Sequence, residues 1–253
     1  SLISLSFFET TFKRKILIFL FFLQFFSFFE KIGDRKRYFM SKITSVQTYL
    51  DQEQLDLAIF SNPTTIHYLT GFASDPHERH MMLFILPDAE SLLFLPSLDV
   101  ERARATVNFP VVGYQDAENP WQRIKDSLPA KTFKRIGAEF DNLNLTRFYG
   151  LKTIFDQDFS DLTPLINRMK LIKSRDEIDK MLIAGQFADK AMQVGFDNIS
   201  LQKTETDIIA QIEFEMKKQG ISKMSFETMV LTGNNAANPH GIPGTNLIEN
   251  NAL

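Results

Sequence analysis

The 253-residue sequence contains no cysteine, which excludes disulfides, cysteine-liganded zinc and thiol catalysis together. It also lacks a strong excess of either charge, since 28 Lys and Arg oppose 31 Asp and Glu for a net charge of -3. A nucleic-acid-binding protein would carry a clustered basic face, so no nucleic-acid partner is predicted. The hydrophobic fraction of 44% and charged fraction of 23% are those of an ordinary soluble globular protein.

Self-contained catalytic motifs are missing as well. The sequence has no Gly-x-Ser-x-Gly elbow, no Walker loop and no dinucleotide fingerprint after a strand. The segment from His77 to His80 resembles the zinc-protease signature, but that signature needs two histidines four apart on one helical face, and here the spacing is three. Because the segment follows Gly71 and Pro76, we predict a loop there and assign no metal ligand.

The first 39 residues differ in composition from the remainder. Residues 16–29 form a nearly unbroken apolar run, which is shorter than the ~20 residues that a membrane-spanning helix needs. No small-x-small cleavage site follows the run, and Met40 resembles a natural start. We therefore predict that residues 1–39 are upstream sequence outside the fold, with a targeting or anchoring segment as the alternative. The protein is expected in the cytoplasm, without a membrane partner.

From Met40 onwards, helical and strand periodicities alternate with short links, which predicts an α/β fold with a mixed sheet. The predicted strands are 57–60, 81–86, 91–95, 111–114 and 135–139, and the second and third of these form a hairpin. The predicted helices are 43–55, one that starts with Pro63 in its first turn and ends at Gly71, 98–107, 121–128 and 145–155.

A second domain is predicted to begin near residue 170, where the pattern changes. Ser174 and Glu177 can form a capping box for one helix. A second helix runs from Thr204 to Gly220, and a strand is predicted at 226–232. The acidic residues of both helices are interpreted mainly as solvated faces. Two helices and one or two strands are too few for a stable sheet, so this domain is predicted to be incomplete.

His240 is the one imidazole in a loop that is rich in glycine and proline. The residues that can shape this loop are Gly233, Gly241 and Gly244, which widen the backbone choices, and Pro239 and Pro243, which stiffen the path. Two interpretations follow from the residues alone. His240 is either a surface histidine in a turn, or a titratable donor that a rigid loop holds against a substrate.

Four stretches, taken in order, resemble the Xaa-Pro dipeptidases (prolidases) of the pita-bread metallopeptidase family. They are 62–72 (NPTTIHYLTGF), 75–79 (DPHER), 169–181 (MKLIKSRDEIDKM) and 226–241, which contains FETMV and GNNAANPHG. The resemblance implies a creatinase-like N-terminal domain with a mixed sheet and helices at 40–165. It further implies an incomplete α+β pita-bread domain at 166–253.

The same resemblance implies a mechanism with two divalent metal ions, which are manganese, cobalt or zinc in such enzymes. The family's metal ligands are two Asp, one His and two Glu, all after the Asn-Pro-His-Gly loop. No metal ligand is therefore expected in this chain, which we predict to be an inactive fragment that binds no cofactor. The expected substrate is a proline-containing dipeptide, with a homodimer as the oligomeric state.

His240 matches the family histidine that contacts the substrate near the scissile bond, in a stabilising and orienting role. Asp75, His77 and Arg79 are implied to close the active site of the partner subunit and to contact the substrate termini. An aminopeptidase P-type enzyme and a non-catalytic dimerisation or interaction module are the alternatives to a dipeptidase.

Overall fold

A computed structural model of the chain describes residues 35–250, with side chains from Lys42 onwards. The expectations for the apolar run at 16–29 lie outside these described residues. The chain divides after Ile172 into two compact units, whose described parts are residues 35–172 and 173–250. Between residues 35 and 250, no helix is long and apolar enough to cross a membrane.

The first unit is a mixed sheet with helices, as the sequence predicts, although the sheet has six strands where five were predicted. Its strands are β1 (Leu57–Phe60), β2 (Met82–Ile85), β3 (Leu92–Pro96), β4 (Val111–Tyr114), β5 (Ile136–Ala138) and β6 (Phe159–Asp161). Its helices are α1 (Arg35–Glu53), α2 (Pro63–Thr70), α3 (Val100–Arg104), α4 (Pro120–Ser127), α5 (Leu145–Lys152) and α6 (Thr163–Leu171). Short 3-10 turns occupy Ser97–Asp99 and Phe140–Asn142.

The strand order is β4-β3-β2-β1-β5-β6, with antiparallel pairing of β1 with β2 and of β2 with β3 and parallel pairing elsewhere. The predicted hairpin is confirmed, and Leu83 lies opposite Leu93 in it. Successive residues of a strand point to opposite faces, so the sheet contributes side chains to two separate hydrophobic cores. Phe60 packs in one of them and Ile59 in the other.

All the parallel strands of the sheet end at one edge, which is also where β2 begins. The register places Phe60 beside Leu83, Pro96 beside Tyr114, and Ala138 beside Asp161. We call this the carboxyl edge. Ligands of open α/β sheets commonly bind at such an edge.

Asparagine side chains start three helices at the carboxyl edge. Asn62 accepts a hydrogen bond from the N–H of Thr64, Asn119 from those of Trp121 and Gln122, and Asn144 from that of Arg147. Each cap satisfies a backbone N–H that the helix leaves without a partner and contributes about 1 kcal/mol. The Pro63 start and the Gly71 end of α2 are confirmed, with Gly71 at φ 78°.

The helix predicted at 98–107 is shorter in the structure, because the 3-10 turn at Ser97–Asp99 replaces its beginning and α3 ends at Arg104. Ala105 still donates to the carbonyl of Glu101, and Val107 to that of Ala103. The regular hydrogen bonding therefore fades gradually over the last turn, which periodicity alone does not resolve.

The second unit contains α7 (Arg175–Asn198), α8 (Glu205–Lys218) and the one-turn helix α9 (Gly233–Ala236). The predicted capping box of Ser174 and Glu177 is confirmed, and Thr204 with Asp207 forms a second one. Gly220 lies at φ 88° just beyond the end of α8, as a helix stop requires. The core of this unit is built on the buried face of α8, with Ile208, Ile212, Met216, Ala191 of α7, Val230 and Ile248.

The strand predicted at 226–232 is wrong, because this segment belongs to no strand in the structure. A strand needs a neighbour to complete its backbone hydrogen bonds. In the described part of the second unit, the one isolated β-bridge joins Thr204 to Leu247 instead. The apolar pattern of the segment reflects burial, since Val230 and Leu231 lie in the interior while the Thr228 hydroxyl donates to Glu213.

Candidate functional site

The Asp75–Arg79 loop lies at the carboxyl edge of the first unit, directly before β2. As predicted, it is a loop and not a helix. Asp75 Oδ1 accepts a hydrogen bond of 3.1 Å from the N–H of His77, and this Asx-turn holds His77 at φ 54°. Histidine tolerates the left-handed region better than bulkier residues do. The His77 and Asp75 side chains are both exposed, with Nδ1 and Oδ1 3.9 Å apart.

Arg79 is held by Asp116, a residue that the sequence analysis did not select. Its Nε and Nη2 donate to the two carboxylate oxygens of Asp116 at 2.7 Å and 2.8 Å, in a bidentate pair. The hydrogen bond from Arg79 is the main reason that the pKa of the Asp116 carboxyl lies below its ordinary value. Asp116 follows the end of β4, so strand order alone would bring it to the edge where the loop begins.

The next residue, His80, connects the loop to two aromatic side chains. Its N–H donates to the Tyr114 hydroxyl at 2.7 Å, and its ring lies 4.5 Å from that of Trp121. Burial, with a smaller contribution from the positive charge of Arg147, lowers the pKa of His80. Burial likewise raises the pKa of Tyr114, whose ring stacks on Phe94. His80 therefore anchors the loop as a neutral, half-buried side chain.

A buried carboxyl, Glu139, lies at the same edge after β5. Its Oε1 accepts a hydrogen bond of 2.6 Å from the Thr65 hydroxyl, to which Lys170 also donates at 3.3 Å. Its Oε2 is buried without a hydrogen-bond partner in the described residues. Burial is the largest influence on the pKa of Glu139 and raises it.

In the second unit, Glu205 organises the loop that carries His240. Glu205 is the first residue of α8 and has 0% relative exposure. Its Oε1 accepts from the N–H of Thr232 at 2.7 Å, and its Oε2 from the N–H of Gly244 at 2.8 Å. The side-chain amides of Asn235 and Asn246 donate to it at 3.1 Å.

The interpretation of the acidic residues on α8 as solvated is therefore wrong for Glu205, although it holds for the exposed Asp207. A carboxylate can be buried when hydrogen-bond donors surround it, and the start of a helix adds a favourable dipole. The donors come from residues up to position 246, far from Glu205 in the sequence. Helical spacing carries no information about such contacts.

The loop itself is tightly packed on its inner side and exposed on its outer side. A Cβ at Gly241 would lie 2.8 Å from the main-chain and side-chain oxygens of Asn235, closer than real contacts allow. Gly233, at φ 54°, begins the one-turn helix α9. His240 is exposed, and its N–H donates to Asn238 Oδ1 at 3.0 Å. The chain thus presents the imidazole from a backbone that Glu205 and Asn235 fix.

The predicted site residues fall into the two units. Asp75, His77 and Arg79 share one loop of the first unit, whereas His240 belongs to the second. Within residues 42–250, no group of three or more His, Asp or Glu side chains could hold a metal ion.

Two protein families match consecutive parts of the chain. The family described as the Creatinase/Prolidase N-terminal domain matches residues 42–172, which is more than half of the chain. Metallopeptidase family M24 matches residues 179–253. The chain belongs to the creatinase/prolidase family. It combines the N-terminal domain of that family with part of a family M24 peptidase domain, as the sequence predicts.

One similar protein agrees with this assignment. The chain is 39% identical to an Xaa-Pro dipeptidase from Lactobacillus delbrueckii subsp. lactis over 217 residues, which cover 83% of this chain and 59% of the relative. It is thus shorter than that protein and spans about three fifths of its length. The identity supports a hydrolase of the prolidase type.

Solved structures resemble both units. A proline dipeptidase structure from Streptococcus pneumoniae is 61% identical, with a TM-score of 0.52, and covers 52% of this chain and 98% of its own. The prolidase from Pyrococcus horikoshii is 25% identical with a TM-score of 0.72, covering 83% of this chain and 57% of its own. With the two family matches, the second structure confirms the predicted mixed α/β fold with a partial peptidase domain.

Proposed function

We propose that this chain is part of an Xaa-Pro dipeptidase, a metallopeptidase that hydrolyses the bond before proline in dipeptides. The observation that carries the proposal is the Glu205-supported loop with the exposed His240, which lies inside the region matched by family M24. The identity to an Xaa-Pro dipeptidase supports the same substrate class.

His240 is proposed to donate a hydrogen bond to the substrate near the scissile bond. The amide before proline has no N–H, so an enzyme must recognise it through the carbonyl oxygen, the proline ring and the chain ends. An imidazole N–H suits the carbonyl oxygen, where charge develops as water attacks. Such a donor must be accessible to the substrate and held in a fixed position. His240 is exposed, and its backbone N–H donates to Asn238 in a firmly anchored loop.

The Asp75–Arg79 loop is proposed to contact the substrate in the active site of a second subunit of a homodimer. Its exposed position at the carboxyl edge supports this role. Because Nε and Nη2 of Arg79 already donate to Asp116, Arg79 would act mainly through Nη1, which lies 3.4 Å from Glu78 Oε1. His77 is then the most accessible donor of the loop.

Membership of family M24 implies divalent metal ions. The side chains between Lys42 and Asn250 do not fit such a site, because they provide no cluster of three or more ligands. We therefore propose that two ions, of manganese, cobalt or zinc, are held by residues outside this range. Residues 1–253 alone are then inactive on dipeptides.

The proposal is tested by comparing residues 1–253 with a chain extended to the length of the relatives. We expect the extended chain to hydrolyse Leu-Pro with added Mn²⁺ and the 253-residue chain not to. In the extended chain, His240→Ala should lower kcat about 100-fold or more, as loss of a transition-state donor does. Cleavage of longer Xaa-Pro peptides in preference to Leu-Pro would indicate an aminopeptidase P-type enzyme. No cleavage of either substrate would contradict the proposal and favour the interaction module.

A further inference from the structure

His80 contacts Tyr114 and Trp121 at the carboxyl edge of the first unit, and Arg147 lies on the helix that packs against Trp121. We call these four residues the Arg147 cluster. They are Arg147 of α5, Trp121 of α4, Tyr114 of β4 and His80 of the loop before β2. The His80 ring contacts Trp121 at 4.5 Å, and the His80 N–H donates to Tyr114. Helix α5 packs directly against the indole, since a Cβ at Gly150 would lie 2.1 Å from it.

Arg147 precedes Gly150 by three residues and therefore lies on the same side of α5 as the contact with Trp121. Its positive charge acts on His80, and Tyr114 in turn acts on Arg147, in agreement with this placement on the helix face. The backbone N–H of Arg147 is used by the Asn144 cap. Its guanidinium makes no hydrogen bond or ion pair with any residue from Lys42 to Asn250.

Among the side chains from Lys42 to Ile172, no carboxylate forms an ion pair with this half-buried cation. The two carboxylates whose charges act on Tyr114 are Asp116, which binds Arg79, and Glu78, which lies 3.4 Å from Arg79. Burial lowers the pKa of Arg147, with a partial offset from Tyr114. Burying a charge without a partner costs free energy, and an anion bound from outside would offset that cost.

We propose that the Arg147 cluster is a binding site for a carboxylate attached to a small apolar group. The Arg147 fork can bind both carboxylate oxygens. The Tyr114 hydroxyl oxygen accepts a hydrogen bond from the backbone N–H of His80, so the hydroxyl proton of Tyr114 can be donated to the ligand. The Trp121 ring supplies an apolar wall for the rest of the ligand. None of these four residues belongs to the Asp75–Arg79 set or to the His240 loop.

The single tryptophan of the chain reports on this site directly, because Trp121 is part of it. The probes are acetate, Leu-Pro and the C-terminal amide of Leu-Pro, which lacks the carboxylate. Trp121 emission and calorimetry follow each titration in the wild type, in Arg147→Gln and in Arg147→Lys. The matched control is Arg123→Gln, which changes an exposed arginine on the same helix as Trp121.

We expect saturable binding of Leu-Pro to the wild type and to the Arg123→Gln control. Arg147→Gln should weaken it at least about 10-fold, and Arg147→Lys should weaken it less, because the charge remains while the fork is lost. Tighter binding of Leu-Pro than of acetate would support recognition of the apolar group too. Equal affinity in Arg147→Gln and the wild type, or equal affinity for the amide, would overturn the proposal, as would the absence of saturable carboxylate binding.

These measurements use the 253-residue chain and need no catalysis, so they remain informative if the proposed peptidase activity fails. Arg147→Gln is not expected to unfold the chain, because it removes a buried charge that has no partner. A thermal melt checks this. Arg147→Lys gives a second, folded comparison if the glutamine variant proves unstable.

Discussion

Glu205 Oε2 lies 2.8 Å from the main-chain nitrogen of Gly244, across a sequence separation of 39 residues. The same carboxylate accepts from the N–H of Thr232 at the other end of the loop. One buried side chain therefore closes the loop that presents His240. The position of His240 therefore depends on Glu205 at the start of α8, which lies 35 residues earlier in the chain (240 − 205).

Replacing Glu205 with glutamine should destabilise the second unit. The amide group of glutamine would face N–H donors and repel at least one of them, and hydrogen bonds to a charged group contribute about 1.5–3 kcal/mol each. We expect a loss of about 2–4 kcal/mol in the free energy of unfolding, measured by urea denaturation followed by circular dichroism.

The control for this change is Glu215→Gln on the same helix. Glu215 pairs with Lys218 at 3.0 Å in a partly exposed i,i+3 pair, which contributes only about 0.5 kcal/mol or less. Equal losses in the two variants would show that burial of the Glu205 carboxylate does not stabilise the loop.

Gly241→Ala should displace the His240 loop, whereas Gly244→Ala should not. The new Cβ at 241 would meet the main-chain oxygen of Asn235 at 2.8 Å, and backbone cannot move aside as a flexible side chain can. At Gly244, nothing lies within 4 Å. Overpacking of this kind typically costs about 1–3 kcal/mol.

Amide hydrogen exchange of residues 232–246 and the NMR resonances of the His240 imidazole measure this effect. We expect faster exchange and shifted resonances in Gly241→Ala only. Unchanged spectra in that variant would mean that the loop can adapt to a side chain at 241, and that its close packing is not what positions His240.

The elements that depend on local sequence could be predicted, whereas the contacts of the site could not. Short apolar runs predicted five of the six strands but not β6, whose residues are largely exposed. Short-range caps predicted the starts of α2 and α7. The segment at 226–232 also contains an apolar run, at 229–231, but it has no strand beside it. Whether such a segment pairs depends on residues distant in sequence, which a local pattern does not contain.

The candidate site shows the same division. A family resemblance located His240 and the Asp75–Arg79 loop, since both are short motifs. Asp116 and the buried role of Glu205 were not predicted, because each depends on a partner distant in sequence. Asp116 and Arg79 are 37 residues apart, and Glu205 and Asn235 are 30 apart. Knowledge of strand order would have found Asp116, because it lies at the carboxyl edge. Glu205 carried no comparable signal.

Gly150→Ala should destabilise the first unit, and Gly185→Ala should stabilise α7. A Cβ at 150 would overlap the Trp121 indole at 2.1 Å, while nothing lies within 4 Å of a Cβ at the exposed Gly185. We expect a loss of about 1–3 kcal/mol for the first change and a gain of about 0.5–1 kcal/mol for the second. Urea denaturation followed by Trp121 emission for the first and by circular dichroism for the second measures them. A gain in stability for Gly150→Ala would contradict the packing of α5 on Trp121.

Glu139 should make the first unit less stable as pH rises above 4.5, the ordinary pKa of its carboxyl. Burial raises the pKa, so the folded state binds the proton more tightly than the unfolded state does. Stability linked to this group is therefore complete below the unfolded pKa and is lost as pH rises through the folded value. Each unit of pKa shift corresponds to about 1.4 kcal/mol.

Glu139→Gln isolates this effect, because the neutral amide can still accept from Thr65 but cannot ionise. The charged side chains that act on Glu139 are Lys170, Asp141 and Asp161, and all remain in the variant. We expect the difference in unfolding free energy between variant and wild type to shift in favour of the variant from pH 4 to pH 8. Urea denaturation followed by Trp121 emission at each pH measures it. Parallel pH profiles for the two proteins would show that Glu139 ionises in the folded protein as easily as in the unfolded chain.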